Sequence, residues 1–401
     1  MLYISYTGLL DPLGQSQVLQ YVLGLARQYR MTVLTFEKPD ALKDTAQIEA
    51  TAEKCRAAGV GWHRLAYHNR PGIPATLYDI AMGMRRGIKL AKACRADIVH
   101  TRSYIAGMIG MAVKRETGAR FIFDMRGFWP DERVDGGIWK AGSRRYKFFK
   151  GIERRLFTSA DHVVSLTRAG VREYEQFDYL ADNPPPSTVI PTCTNLELFR
   201  PTEVPDDRAP GFTIGYVGSA GSWYMFDEVT RAVRLLFEKR QDARFHVVNK
   251  GDHGFIRNCL NRHGVDLERT VIRTVPYGEV ATEIAHMDAG IFFIKPVWSK
   301  RASSPTRLGE FLACGKPVLV NGNVGDVAES VGETQTGIAI SAFDDATLQD
   351  GLDRLLELTE KPGISARCRD AAEARFSLEG GIQSYSAIYD RLAAAIDKRV
   401  E

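Results

Sequence analysis

Short, almost continuously apolar runs recur along the chain, each followed by a stretch with helical periodicity. In the first half they occupy residues 2–6, 31–36, 97–100, 120–125, 162–166 and 188–191; in the second, residues 212–217, 243–248, 270–275, 289–295, 317–321 and 336–340. Apolar side chains at successive positions, rather than alternate ones, predict parallel strands covered on both faces. Between the runs, segments such as 15–30 place Val18, Tyr21, Val22, Leu25 and Tyr29 on one helical face. Strand then helix, repeated, predicts a doubly wound α/β sheet, and the pattern runs twice. Residues 201–211 mix polar side chains with Pro201, Pro205 and Pro210 and read as a linker, while Pro184, Pro185 and Pro186 mark a surface loop. After Gly363 only helical periodicity remains, with Tyr385, Ile388, Tyr389 and Leu392 forming an apolar stripe. The expected organisation is a domain over 1–200, a second over 211–375, and a final helix over 376–401 that crosses back to brace the first.

Composition agrees with two cores. A chain of 401 residues with 44% hydrophobic and 25% charged side chains exceeds the roughly 250–300 residues at which single cores split. The net charge of +4 demands no polyanionic partner, and nothing resembles a nucleic-acid module. Cys55, Cys94, Cys193, Cys259, Cys314 and Cys368 are scattered without paired spacing, which argues against a disulfide scaffold or a structural zinc site and for a reducing compartment. The first six residues read as a strand rather than a signal peptide, and no uncharged apolar run approaches the roughly 20 residues of a membrane span. The expectation is a cytoplasmic protein with no metal site.

The most informative segment is 300–318. It predicts a helix with Ser304 as N-cap, Pro305 at the first helical position and Gly315 just past the end. On that helix Thr306, Arg307 and Glu310 share one face. The free amides and positive dipole end at its start suit a phosphate, and Arg307 adds a formal charge. A carboxylate one turn further in, Glu310, can accept two hydrogen bonds from a vicinal diol such as a ribose. The same pattern also describes an amphipathic helix with Arg307 and Glu310 as a surface ion pair.

The run Pro305-Thr306-Arg307-Leu308-Gly309-Glu310-Phe311-Leu312-Ala313-Cys314-Gly315-Lys316-Pro317-Val318 resembles the signature helix of the retaining GT-B glycosyltransferases. Residues 189–201 are similar to that family's sequence at the end of the first domain, and Thr213-Ile214-Gly215-Tyr216-Val217-Gly218 to the strand that opens the second. The resemblance implies two Rossmann-like parallel-sheet domains facing across a cleft, a nucleotide-sugar donor and a glycan or lipid-linked acceptor. It further implies retention by a front-face mechanism, no cofactor, and Glu310 as the ribose carboxylate. Two departures stand out. Eight positions before Glu310, where the family carries a second glutamate, lies Ala302. Where the family places an Arg and a Lys to clamp the diphosphate, this chain has Gly218, Ser219, Ala220, Gly221 and Ser222, a loop that offers backbone amides but no charge. Either Lys250, Lys300, Arg301 or Arg307 compensates, or the donor carries one phosphate, as in a CMP-activated acidic sugar; compensation is the favoured reading.

In the first domain Gly14 lies in a strand-to-helix loop, residues 10–17, that resembles the family's glycine loop near the donor phosphates. Asp124, Arg126 and Glu132 crowd the end of a strand; Asp124 or Glu132 is placed to orient the acceptor hydroxyl, and Arg126 to bind an acceptor phosphate or a sugar carboxylate. Asp124 and Arg126 can also simply brace the loop. His100 ends another strand and matches a family position near the cleft, or is a buried, hydrogen-bonded histidine. Residues 139–157 interleave Lys140, Arg144, Arg145, Lys147, Lys150, Arg154 and Arg155 with aromatic side chains; this is a helix suited to an anionic membrane surface, or a solvated helix with its aromatic residues toward the core. A nucleotide-sugar epimerase and a non-catalytic member of a glycan-assembly complex remain the alternatives.

Overall fold

The computed structural model describes residues 1–203, 208 and 210–397. The chain packs as two α/β units, one from Met1–Pro191 joined by the helix Leu378–Asp397, the other from Thr192–Ser377. In the first unit, β1 (Leu2–Ser5), β2 (Thr32–Glu37), β3 (Gly61–Ala66), β4 (Ile98–Arg102), β5 (Arg120–Asp124), β6 (His162–Ser165) and β7 (Ser187–Val189) form a wholly parallel sheet in the order β3-β2-β1-β4-β5-β6-β7. In the second, β8 (Thr213–Val217), β9 (Arg244–Val248), β10 (Thr270–Arg273), β11 (Ala289–Ile291), β12 (Val318–Asn321) and β13 (Gly337–Ile340) run parallel in the order β10-β9-β8-β11-β12-β13. The order reverses between β1 and β4 and between β8 and β11, the positions where sheets of this kind bind ligands at their strand ends.

The central strands are buried along their length, as continuous apolar runs require. The sequence pattern passes over β3. This strand pairs only with β2, at the sheet edge, and its Gly-Trp-His-Arg-Leu-Ala run is half exposed, so it has no second apolar face to betray it. Trp62 is tied inward by its indole N–H, which donates to Thr35 Oγ1 at 2.8 Å.

The boundary expected at residue 200 lies at 191. The segment from Thr192 packs with the second unit: Thr192 N donates to Ser304 Oγ at 3.2 Å, Thr194 N donates to the Phe376 carbonyl at 2.7 Å, and Phe199 is buried in the second core. Arg369 Nη1 adds hydrogen bonds to the Leu196 and Phe199 carbonyls at 3.1 and 2.8 Å. Of the linker read over 201–211, Val204, Pro205, Asp206, Asp207 and Ala209 lie outside the described residues.

The helix Leu378–Asp397 completes the first unit. Ile382 seats on Gly24, where any side chain would overlap it. Tyr385, Ile388, Tyr389 and Leu392 are all buried. Two of the buried tyrosines end in hydrogen bonds: Tyr385 Oη donates to Asp124 Oδ2 at 2.9 Å, and Tyr389 Oη lies 2.7 Å from His100 Nδ1.

Candidate functional sites

The helix Thr306–Ala313 begins one residue later than its sequence suggests, with Pro305 extended (φ −74°, ψ 123°) at the cap position. Ser304 does not cap it. Its hydroxyl oxygen accepts from Thr192 N and its carbonyl accepts from Thr192 Oγ1 at 2.7 Å, so Ser304 anchors the segment that enters the unit. Pro305 makes no side-chain cap, and among the described residues the first amides, beginning at the half-buried Thr306, are left without a side-chain acceptor.

Arg307 and Glu310 are not a surface ion pair; they are 5% and 6% exposed. The Arg307 guanidinium lies over the rings of Tyr224 and Tyr216, 3.9 and 4.8 Å from their centroids, and Nη2 donates to the Ser219 carbonyl at 3.2 Å. Among the described residues its Nη1 is buried with no hydrogen-bond partner. Gly218 has φ +99°, a conformation that favours glycine, and a side chain there would strike this guanidinium. The loop without a charge of its own therefore packs directly against Arg307. Burial pushes the Glu310 carboxyl up to about 7, against the opposing Arg307 charge and a hydrogen bond with Tyr277. Ala302, where the family carries its second glutamate, is fully buried.

Neighbouring side chains fix the Gly218–Ser222 loop. Asn249, just past β9, donates from Nδ2 to the Gly218 carbonyl at 2.9 Å, while its Oδ1 accepts from Gly251 N and Asp252 N. Asp252 in turn accepts from Ala220 N at 3.2 Å. Ser219 and Ser222 are exposed, Ser222 with φ +61°. Lys250 is exposed on the turn after β9, and Arg301 is also exposed. Lys300 is buried, its ammonium 4.0 Å from the Trp223 ring centroid. Of the four cations considered for the phosphate, Arg307 bonds the loop through its guanidinium. Asn249 and Tyr277 were not singled out from the sequence. A polar residue directly after a buried strand is a legible signal for Asn249; Tyr277 has none.

In the first unit the parallel register sets Ser5, Arg102 and Asp124 side by side at the strand ends, with Tyr3 and His100 one row behind. His100 and Asp124 are buried beneath the final helix, bonded to Tyr389 and Tyr385. Burial lowers the His100 pKa and keeps the ring neutral. For Asp124 burial acts upward, but the opposing Arg126 charge leads the influences that hold the carboxyl below its usual value. Arg126 Nη1 stands 3.7 Å from Asp124 Oδ2, and His100 Nε2 3.9 Å, both beyond a hydrogen bond. His100, Asp124 and Arg126 thus come together. The first two are tied to tyrosines of the final helix. Glu132 follows on the short helix Trp129–Asp135, half buried, its carboxylate against Gly127.

Gly14 is a packing requirement: a methyl there would overlap the Gly8 carbonyl. The nearby loop amides of Leu9 and Leu10 donate to the buried Glu37 carboxylate at 2.8 and 3.1 Å, so they are engaged within the unit. In the basic segment, the helix Arg144–Ser159 turns Ile152, Glu153, Leu156 and Phe157 inward. Lys150 bridges Asp131 and Glu153, and Tyr104 donates to Glu153 at 2.7 Å. Outward stand Lys140, Arg144, Arg145, Lys147, Arg154 and Arg155, together with Ile138 at 60% and Phe148 at 56% exposure. Among the described residues no helix is long and apolar enough to cross a membrane, and no group of three or more His, Cys, Asp or Glu side chains could hold a metal ion.

Residues 14–193 match the glycosyl transferase 4-like domain family, and residues 203–375 match glycosyl transferases group 1. The chain belongs to the GT-B glycosyltransferases and is an enzyme of that class. Among solved structures it is similar to sucrose-phosphate synthase from Thermosynechococcus elongatus, with a TM-score of 0.74 and 14% identity over 98% of this chain and 99% of that one. It is also similar to a glycosyltransferase from Rickettsia africae (TM-score 0.68, 15% identity, 98% of each chain). A third is Anabaena HepE in complex with UDP-glucose (TM-score 0.69, 13% identity, 97% of this chain and 99% of that one). At these identities the likeness concerns the fold. No curated protein matches the chain by sequence.

Proposed function

We propose that the enzyme moves a sugar from a nucleoside-diphosphate sugar to a glycan or lipid-linked acceptor with retention of anomeric configuration. The observation that carries this reading is the buried, unpartnered Nη1 of Arg307, held against the Gly218–Ser219 loop with Glu310 one turn along the same helix. A diphosphate supplies the acceptor that Nη1 lacks, together with acceptors for the uncapped amides at Thr306. Glu310 takes the ribose diol. In front-face transfer the bond from the anomeric carbon to the diphosphate oxygen breaks as the acceptor oxygen bonds on the same face, and the acceptor proton passes to that diphosphate oxygen. Arg307 and the helix dipole stabilise the leaving charge, so no separate basic side chain is required. The first unit carries the acceptor, with Arg126 and Glu132 the residues left to contact it.

Titration with UDP, GDP and CMP, followed by thermal unfolding, tests the donor. HepE was solved with UDP and with UDP-glucose, which makes UDP the first probe. A bound diphosphate nucleotide at about 100 times its Kd is expected to add about 2.7 kcal/mol of stability. Binding of CMP in preference would replace the diphosphate donor by a CMP-activated sugar, and binding of none of the three would end the donor assignment. Conversion of UDP-glucose to another UDP-sugar without acceptor would mark an epimerase instead.

The outward face of 139–157 serves as a peripheral contact with anionic lipid, each cation adding about 1 kcal/mol near such a surface, with Ile138 and Phe148 entering the headgroup layer. The protein is expected to co-sediment with phosphatidylglycerol-containing vesicles and to release in ~0.5 M salt, where charges are screened within several ångströms. The triple variant Arg144→Ala, Arg145→Ala, Lys147→Ala should stay in the supernatant at low salt. Equal sedimentation of that variant, or of the parent with neutral vesicles, would refute the contact.

A further inference from the structure

A guanidinium without a hydrogen bond or ion pair among the described residues lies in the first unit. Arg102 ends β4 at 7% exposure; its Nε has no hydrogen-bond partner, and its side chain makes no hydrogen bond or ion pair among the described residues. The register sets it beside Asp124 of β5 and Ser5 of β1, on one face of the sheet. Ser5 is turned away from it, its hydroxyl donating to the Thr7 carbonyl at 2.8 Å. Asp124 accepts from Tyr385 at Oδ2, which stands 3.7 Å from the Arg126 guanidinium, while its Oδ1 is buried with no hydrogen-bond partner among the described residues. Arg126 is itself nearly buried, and its Nε too lacks a partner.

The charges in this cluster do not cancel. Arg102 and Arg126 are cations, Asp124 is the anion beside them, and His100 is neutral, so one positive charge is left over where little water reaches. An uncompensated buried ion is among the most costly features a fold can carry. Burial and the repulsion of Arg126 both pull the Arg102 pKa down. The backbone is strained at the same place: Arg126 has φ +60° and Ser103 φ +72°, left-handed values that non-glycine residues seldom adopt. Ser103 opens the helix Ser103–Thr117, whose start no side chain caps. Two guanidiniums at the carboxyl ends of adjacent parallel strands, beside an uncapped helix start, offer more donors than the lone Asp124 carboxylate, whose Oδ1 is itself unpaired, takes up.

We propose that Arg102 and Arg126 form an oxyanion subsite for a phosphate group carried by the acceptor, Arg102 being its buried anchor. This rests on the transferase reading for the word acceptor, but the subsite itself stands on the first unit alone. A phosphate fits better than a carboxylate. It has enough oxygens to accept from two guanidiniums and from helix amides together, whereas Asp124 already presents a carboxylate to Arg126. The acceptor is therefore a phosphorylated sugar or a sugar on a phosphate-linked carrier.

Inorganic phosphate is the probe, titrated into the full-length protein with saturating UDP so that the Arg307 site is filled. Phosphate is expected to raise the unfolding temperature of the parent, with acetate doing so far less. Arg102→Met, which keeps the bulk and removes the charge, should bind phosphate at least about tenfold more weakly, as the loss of a charge-assisted pair requires, while its UDP affinity is unchanged. Arg102→Met should also unfold at no lower temperature than the parent without phosphate, since it removes an uncompensated charge. If it is too unstable to measure, Arg126→Gln provides the same phosphate comparison. Equal phosphate affinity in parent and variant overturns the subsite, and so does an equal response to acetate. Phosphate binding that depends on Arg102 in a protein that ignores all nucleotides would keep the subsite and discard the transferase reading.

Discussion

Arg307→Met is expected to lower kcat/KM for sugar transfer by ~100- to 1,000-fold, the range seen when one preorganised donor to a developing oxyanion is removed. The size follows from where the charge sits. The guanidinium is buried, lies over two tyrosine rings, and keeps one nitrogen unpaired. In such a setting an interaction with a phosphate oxygen is screened far less than at a surface. Methionine fills most of the volume, so the fold should survive with a loss of about 1–2 kcal/mol from the missing cation–π contacts. Arg307→Lys should recover little, because a point charge cannot bond the Ser219 carbonyl and bridge to a phosphate in the same planar geometry. Steady-state kinetics beside thermal unfolding separates the two effects. A variant that folds and transfers at the parental rate would remove Arg307 from the chemistry.

Glu310→Gln is expected to weaken UDP binding by roughly 10- to 150-fold, the equivalent of about 1.5–3 kcal/mol for hydrogen bonds to a charged acceptor. It should also stabilise the free enzyme at alkaline pH. Burial holds the Glu310 carboxyl at about 7 in the folded protein, above its value in the unfolded chain, so the unfolded state releases the proton more readily. Its contribution is complete below pH ~4.5, declines as pH rises toward 7, and above that the parent carries a penalty of about 3 kcal/mol. Glutamine carries none. The stability difference between variant and parent should therefore grow between pH 5 and pH 8. Ligand binding follows the opposite course. If, as proposed, the ribose hydroxyls bond the ionised carboxylate, UDP affinity should be highest above pH ~7 and fall by about tenfold per unit below it. Calorimetry across that range checks both signs; a pH-independent affinity, or a variant that binds UDP as the parent does, would detach Glu310 from the ribose.

How much of this was legible beforehand depends on the range over which each feature is specified. Buried parallel strands announce themselves locally, since each needs apolar side chains at nearly every position, and the central strands of both sheets were readable for that reason. Strand β3 was not, because an edge strand with one side free tolerates Trp62, His63 and Arg64. Helical period put Arg307 and Glu310 on one face, but the loop that meets Arg307 lies 88 residues earlier in the chain, and only the fold joins them. Ser304 looked like a cap because serine before proline usually is one; the claim of Thr192 on it, across 112 residues, is invisible to local pattern. The stripe of Tyr385 and Tyr389 was legible as apolar. That their hydroxyls reach Asp124 and His100 depends on register, which no single segment encodes. Arg102 was passed over for a related reason: a charged residue ending a strand is ordinary in sequence and becomes notable only when nothing comes to neutralise it.

The helix that finishes the first unit is encoded after the entire second one. During synthesis, then, the amino-terminal sheet emerges from the ribosome with His100 and Asp124 uncovered and must wait for some two hundred further residues before Tyr385 and Tyr389 arrive. The middle of the chain, by contrast, is contiguous and reaches its own core without waiting. Order of assembly should run opposite to order of translation: the later-made lobe matures first, and closure of the earlier one is the final step.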